Sequence, residues 1–334
     1  MKSAIYHEYG NPSVVVKIVE MERKEIEPNQ IRTSLELAAI NPADLFSIMG
    51  SYPLKSPFPR VPGNEGIGKI VEIGTDVTGL QVGNRVLIPI LADTSVWSEE
   101  IIVDANKIFV VPENVVADPK QIAMASVNPP SAYGMLTQFV NLKKGDWVIQ
   151  NAANSAVGSC VIGFAKIMGL KTVNIVRREE VLDSVKTLGG DIVLVDGTDL
   201  AKRLKKEYGR LNIKLGLDGV AGEATHQISQ CLADGATLVN YGAMSMKKCE
   251  LGVSQLIFKQ IKLLGYWYSR WTQEAKKADV LKLNEITNKA VFDGDIQVHV
   301  NDVVPLEEIE RVLKQALTPK ANGKTLISGP SYAG

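Results

Sequence analysis

Cysteine is scarce in this chain: Cys160, Cys231 and Cys249 stand far apart among 334 residues. An odd number with no Cys-x-x-Cys spacing excludes a disulfide framework and a four-cysteine zinc lobe. Unpaired thiols suit a reducing compartment, so a cytoplasmic protein is expected. Histidine is equally thin, with only His7, His226 and His299, widely scattered. A catalytic zinc site needs about three protein ligands, so no metal is expected. Charge of either sign is not in excess: Lys plus Arg and Asp plus Glu number 37 each. That balance removes the electrostatic case for a nucleic acid or an anionic membrane as partner. No apolar run reaches the ~18 residues of a membrane span. The opening Met1–Gly10 turns polar and acidic too early for a signal or transit peptide, and none is expected.

What is present falls into two styles. At ~100–200 residues per domain, the length suggests about two domains. Residues 1–122 are dense in Pro and Gly, with strand-like runs such as Gly68–Gly74 and Asn84–Ile90 between turn residues. They read as a β-rich domain. From residue 123 to 269 short apolar strands alternate with helical patterns: Asp146–Asn151, then Gly158–Gly169, then Lys171–Arg177, and so on to Ala236–Gly242. Such alternation predicts a parallel sheet with helices on both faces, the doubly wound α/β architecture that binds dinucleotides. Residues 270–334 read as a long helix over 273–294, a second over 305–317 and a final strand at 324–329. This tail is expected to rejoin the first domain, leaving the α/β domain as an insertion.

The most informative turn is Asn151-Ala-Ala-Asn-Ser-Ala-Val-Gly158, between a strand and a helix. Backbone N–H groups at such a helix start, with the helix dipole behind them, suit a pyrophosphate. Gly158 stands where a close-packing glycine belongs, whereas Asn154 and Ala156 occupy places where glycine is common. A plain connection with a Ser or Asn cap is the competing reading. The next strand chooses the cofactor. An NAD site places Asp or Glu at its end to bind the ribose hydroxyls. Here Arg177 and Arg178 stand there instead, and Arg177 follows Gly158 by 19 residues. A guanidinium pairs bidentately with a 2′-phosphate, so NADPH is expected.

The segments Ile40-Asn-Pro-Ala-Asp44, Pro62-Gly-Asn-Glu-Gly-Ile-Gly68 and Val82-Gly-Asn-Arg-Val86 follow one another as in medium-chain dehydrogenases/reductases, which the whole chain resembles. The resemblance implies a GroES-like β-rich catalytic domain (1–122 and 270–334) and a Rossmann domain (123–269). Asn64 stands where the zinc alcohol dehydrogenases carry a zinc-binding His, which points to a zinc-free branch. Val127-Asn-Pro-Pro-Ser-Ala-Tyr133, Tyr241-Gly-Ala-Met244 and Gly265-Tyr-Trp-Tyr-Ser-Arg-Trp271 are similar to the mitochondrial-type 2-enoyl thioester reductases. That resemblance implies NADPH contacts at Asn128, Asn154, Ser155, Ala156, Val157, Arg177, Arg178, Tyr241, Met244, Tyr266, Trp267 and Lys324. It implies a small acyl thioester of CoA or acyl carrier protein as substrate. It also implies a homodimer paired through the 262–271 region.

Reduction of a 2-enoyl thioester takes a hydride at the β-carbon and a proton at the α-carbon. Tyr52, in Met49-Gly-Ser-Tyr-Pro53, matches the tyrosine implicated in those reductases and is the expected proton donor. A phenol with a reference pKa near ~10 keeps its proton at neutral pH. Quinone oxidoreductases often carry Tyr-Pro in the same place, so quinone or activated-alkene reduction is the alternative reading. A non-enzymatic NADPH- and RNA-binding protein is a third, which the zero net charge disfavours. Asn41 and Asp44 read as capping residues that hold the loop.

Overall fold

The punctuated first third resolves into seven short strands: β1 (Lys2–Ile5), β2 (Lys17–Glu20), β3 (Gln30–Ala39), β4 (Gly66–Ile73), β5 (Arg85–Ile88), β6 (Glu100–Asp104) and β7 (Phe109–Val110). The structure is a computed structural model and describes residues 1–55, 57–90, 95–316 and 323–334. Helices in this part are short: α1 (Pro12–Val15), α2 (Pro42–Ile48) and α3 (Pro119–Ile122). Each starts on a proline behind Asn11, Asn41 or Asp118, because proline lacks the N–H that the first turn leaves unused.

The middle of the chain alternates as its sequence pattern demands. α4 (Asn128–Gln138) leads into β8 (Trp147–Gln150), α5 (Ala156–Met168), β9 (Lys171–Val176), α6 (Leu182–Thr187), β10 (Ile192–Val195) and α7 (Leu200–Tyr208). There follow β11 (Ile213–Asp218), α8 (Glu223–Cys231), β12 (Thr237–Asn240), α9 (Val253–Ile257) and β13 (Lys262–Gly265). The tail holds α10 (Tyr268–Glu274), α11 (Lys277–Phe292), β14 (Val300–Pro305), α12 (Ile309–Ala316) and β15 (Lys324–Ser328). The single long helix expected over 273–294 is therefore two helices, broken at Ala275, where the backbone is extended (φ −76°, ψ 158°). The helix expected from 305 begins instead as a 3₁₀ turn at Leu306–Glu308, because Pro305 is the last residue of β14. Leu317, which closed that expectation, lies outside the described residues.

Two compact units result. One comprises Met1–Val127, Asn284–Gly294 and His299–Gly334; the other comprises Asn128–Leu283 and Asp295–Val298. In the first, a seven-stranded sheet runs β14-β15-β3-β4-β5-β7, with β6 also on β3. The tail thus returns to the N-terminal sheet: β15 lies antiparallel to β3, with Leu326 opposite Ala39. Ile31, Leu35, Val86, Trp97 and Ile327 fill its core. Arg32 is buried there and pairs with Glu72 (2.7 Å) and Glu100 (3.3 Å).

In the second unit the six strands run β10-β9-β8-β11-β12-β13, every pairing parallel. Numbered within the unit this is the 3-2-1-4-5-6 order of dinucleotide-binding folds, and the direction of winding reverses between β8 and β11. Ligands of such sheets bind outside the carboxyl ends of the strands at that reversal. One polar seam interrupts the apolar strands. Gln150 donates to the Gly158 carbonyl (3.0 Å) and to Asn174 (2.8 Å), tying α5 to the sheet beneath it.

Gly158 fixes how closely α5 meets the turn before it. A Cβ at this position would lie 2.5 Å from the Ala153 carbonyl oxygen and 2.7 Å from that of Ala152. Backbone on both sides leaves nothing flexible to yield. Gly158→Ala is therefore expected to cost about 1–3 kcal/mol, read as a loss of several degrees in the thermal midpoint of the unfolding transition.

Candidate functional site

The carboxyl edge of the six-stranded sheet gathers most of the expected contacts. The chain leaves β8 through Asn151 and Ala152, whose φ of 49° is left-handed although it is not glycine. Ser155 then caps α5, its Oγ accepting from Gly158 N–H at 3.1 Å. Helix geometry leaves the N–H groups of Ala156 and Val157 without intrahelical acceptors. Asn154, Ser155, Ala156 and Val157 thus form one helix N-terminus, the arrangement that accommodates a phosphate. Arg177 and Arg178 follow directly on β9, Arg177 exposed and Arg178 half-buried. No acid precedes them on the strand.

Beneath this edge lies a buried carboxylate that the sequence reading missed. Asp218, at the end of β11, accepts from Asn151 Nδ2 (2.7 Å), the N–H groups of Val220 (2.9 Å) and Ala221 (3.0 Å), Thr225 Oγ1 (2.6 Å) and Asn240 Nδ2 (3.2 Å). Asn151 reciprocates by accepting from Gly219 N–H at 2.8 Å. One side chain therefore joins the turn after β8, the end of β11 and the end of β12. The only signal in the sequence is a polar residue closing β8, β11 and β12, and spacing alone does not say that those residues meet.

Tyr241 follows β12. Its hydroxyl is buried beside Ser155 with no closed hydrogen bond. Burial, with Asp218 near, holds this phenol well above its ordinary range, so it remains a donor. Met244 stands exposed in the same loop, its N–H on the Gly219 carbonyl. After β13, Tyr266 turns inward. Its ring meets Phe139 edge-on at 5.7 Å, and its hydroxyl lies where a Cβ on Gly134 would be 2.2 Å away. The tyrosine thus seats on α4, whose first residue is Asn128. Trp267 caps α10. This edge fits a dinucleotide: a helix N-terminus, a glycine that permits close approach, an unpaired buried hydroxyl and two arginines beyond the second strand.

In the first unit the expected residues fall into a different constellation. Lys324 Nζ donates to the Ile40 carbonyl at 2.8 Å and to Asn41 Oδ1, inside a buried cluster. Asn41 Nδ2 donates to Glu65 (2.9 Å), whose other oxygen accepts from Ser126 N–H (3.0 Å) and Oγ (3.2 Å). Asn41 N–H donates to Asp44 (2.7 Å), as does Asn64 Nδ2 (2.6 Å). The expected capping role of Asn41 and Asp44 is therefore seen, within a larger cluster. This pair starts α2, and the half-buried Tyr52 follows four residues beyond its end, its N–H on the Phe46 carbonyl at 3.1 Å. Among the described residues no group of three or more His, Cys, Asp or Glu is placed to hold a metal ion.

Burial raises both carboxyl groups of the cluster, Asp44 to about 7, against the opposing pull of Lys324 and the donated hydrogen bonds. Between the ordinary aspartate value of about 3.8 and about 7, the folded chain then binds more protons at Asp44 than the unfolded chain does. Stability from this group is highest below that window and falls as pH rises through it. Asp44→Asn is expected to reduce the loss of urea stability between about pH 5 and about pH 8; an unchanged slope would show that Asp44 ionises normally.

Comparison with known proteins agrees with this architecture. Residues 27–113 match the family described as the alcohol dehydrogenase GroES-like domain, and residues 156–284 match that described as zinc-binding dehydrogenase. The rat protein named enoyl-[acyl-carrier-protein] reductase, mitochondrial, is 32% identical over 98% of this chain and 88% of its own length. The solved complex of Etr1p with NADP and crotonyl-CoA superposes with a TM-score of 0.85 at 23% identity, over 98% of this chain and 99% of that one. Escherichia coli quinone oxidoreductase, solved with NADPH, gives a TM-score of 0.84 at 20% identity, over 98% and 100%. Set beside the 3-2-1-4-5-6 sheet and the returning β15, these matches place the chain in the medium-chain dehydrogenase/reductase family, among the relatives of the mitochondrial enoyl-[acyl-carrier-protein] reductases.

Proposed function

We propose that this protein reduces the C2=C3 double bond of a 2-enoyl thioester with NADPH, in fatty-acid metabolism. The observation that carries the reading is the Ser155-capped start of α5 together with Arg177 and Arg178 behind β9, in a chain 32% identical to an enoyl-[acyl-carrier-protein] reductase. The N–H groups of Ala156 and Val157, with Asn154 and Ser155, would hold the pyrophosphate, and the buried Tyr241 hydroxyl would donate into the same site. Arg177 and Arg178 would clamp the 2′-phosphate. Asn128, Met244, Tyr266, Trp267 and Lys324 complete the proposed cofactor contacts. When bound, NADPH supplies the hydride, and the chain supplies orientation and electrostatics. Tyr52 is the proposed donor of the proton to the α-carbon, and α2 sets its place in the chain.

The acyl group arrives on CoA or an acyl carrier protein. The working form is proposed to be a homodimer paired along β13. That strand ends the six-stranded sheet with one edge open, and Leu264 on it, like Ile257 and Phe258 shortly before it, exposes apolar surface. Cys231 and Cys249 are free thiols, in keeping with a reducing, cytoplasmic setting.

The direct test follows NADPH absorbance with crotonyl-CoA in one cuvette and a soluble quinone in another. Turnover of the thioester with little quinone activity is the expected outcome; quinone turnover alone would overturn the proposal. Tyr52→Phe is expected to lower crotonyl-CoA turnover by about 10²-fold while leaving NADPH affinity intact. Arg177→Ala is expected to weaken NADPH by about tenfold or more and to spare NADH, since a lost charge-assisted pair is worth about 1.5–3 kcal/mol. Equal affinity of the parent for both nucleotides would refute the cofactor assignment.

A further inference from the structure

The first unit holds a polar pocket that the proposed reaction does not use. Its walls include Tyr6, Ser47, Arg60, Asn64 and Ser95, and its empty volume is about 240 Å3 with its open mouth counted. Arg60 is fixed at the backbone by reciprocal hydrogen bonds with Tyr6, both 3.0 Å. Arg60 forms no salt bridge among the described residues; its guanidinium lies beside the Tyr6 hydroxyl, and its Nη1 is buried without a hydrogen-bond partner. A stranded charged donor is costly, and native structures satisfy such groups with an acceptor. Asp44, also in the wall, forms no ion pair with Arg60 among the described residues; its oxygens accept from Asn41 N–H and from Asn64. Burial also keeps part of the Asp44 population protonated near neutral pH, which weakens its field on the guanidinium.

We propose that this pocket is an oxyanion subsite, taking a carboxylate or phosphate group on the Arg60 guanidinium, with Ser47, Ser95 and Asn64 as further donors. A guanidinium with its partner missing selects an anion over a neutral carbonyl, because the pair is charge-assisted on both sides. Binding of a free anion does not depend on the proposed reaction, whereas occupancy by a carrier phosphate rests on it. Its occupant is either a free anion or the phosphate of a larger molecule.

Calorimetric titration of the full chain with sodium phosphate at fixed ionic strength tests this. Saturable binding is expected in the parent, weakened at least about tenfold in Arg60→Gln and only partly in Arg60→Lys, which keeps a charge but not the planar fork. Far-UV circular dichroism confirms that each variant is folded. Arg177→Ala is expected to leave this binding unchanged. Displacement of phosphate by CoA, but not by pantethine, identifies a carrier phosphate as the occupant; no displacement by either identifies a free anion. Absence of saturable binding, equal binding by Arg60→Gln, or loss in Arg177→Ala alone overturns the proposal and leaves the pocket to ordered water.

Discussion

The carboxylate of Asp218 is the point from which the cofactor edge is built. Five donors converge on it, from the turn after β8, its own strand end, α8 and β12. A buried carboxylate is tolerated only when its lone pairs are filled. Filling them here fixes three consecutive strand ends in one register. The phosphate turn, the Tyr241 loop and the Asp218 carboxylate therefore move together or not at all. Gln150 does the same from below, holding the first turn of α5 to the sheet.

The fold was largely legible in the sequence because the second unit is periodic. Strands and helices alternate from Trp147 onward, and that order leaves few topologies. Of the tail, the final strand pairs with β3, while residues 270–283 lie with the second unit. Legibility failed where the pattern was continuous but the backbone was not: nothing in the run 273–294 signals the extended residue at Ala275. It failed again at Pro305, where a proline suited to a helix start closes a strand instead.

The site was legible in part, for a physical reason. Ser155, Gly158 and Arg177 act through local geometry, so spacing reveals them. Asp218, Gln150, Asn174 and Glu65 act through contacts between residues distant in the chain, which a single sequence does not display. Lys324 shows the difference well. The family resemblance names it, but its bonds to Ile40 and Asn41, some 280 residues earlier in the chain, are visible only in the fold. Burial in that cluster raises both carboxyl groups, Asp44 and Glu65, above their ordinary range.

The position of β15 has a consequence for how the protein is made. That strand lies inside its sheet, between β14 and β3, yet it is encoded by residues 324–328. On the ribosome, Leu37–Ala39 emerge early and wait with an unpaired edge while almost the whole chain is synthesised. All six strands of the second sheet are out of the exit tunnel before β15 exists. The second unit can therefore mature during translation, whereas the first waits until β15 has emerged. In that interval the vacant edge of β3 is the place where a chaperone, or a neighbouring nascent chain, would bind.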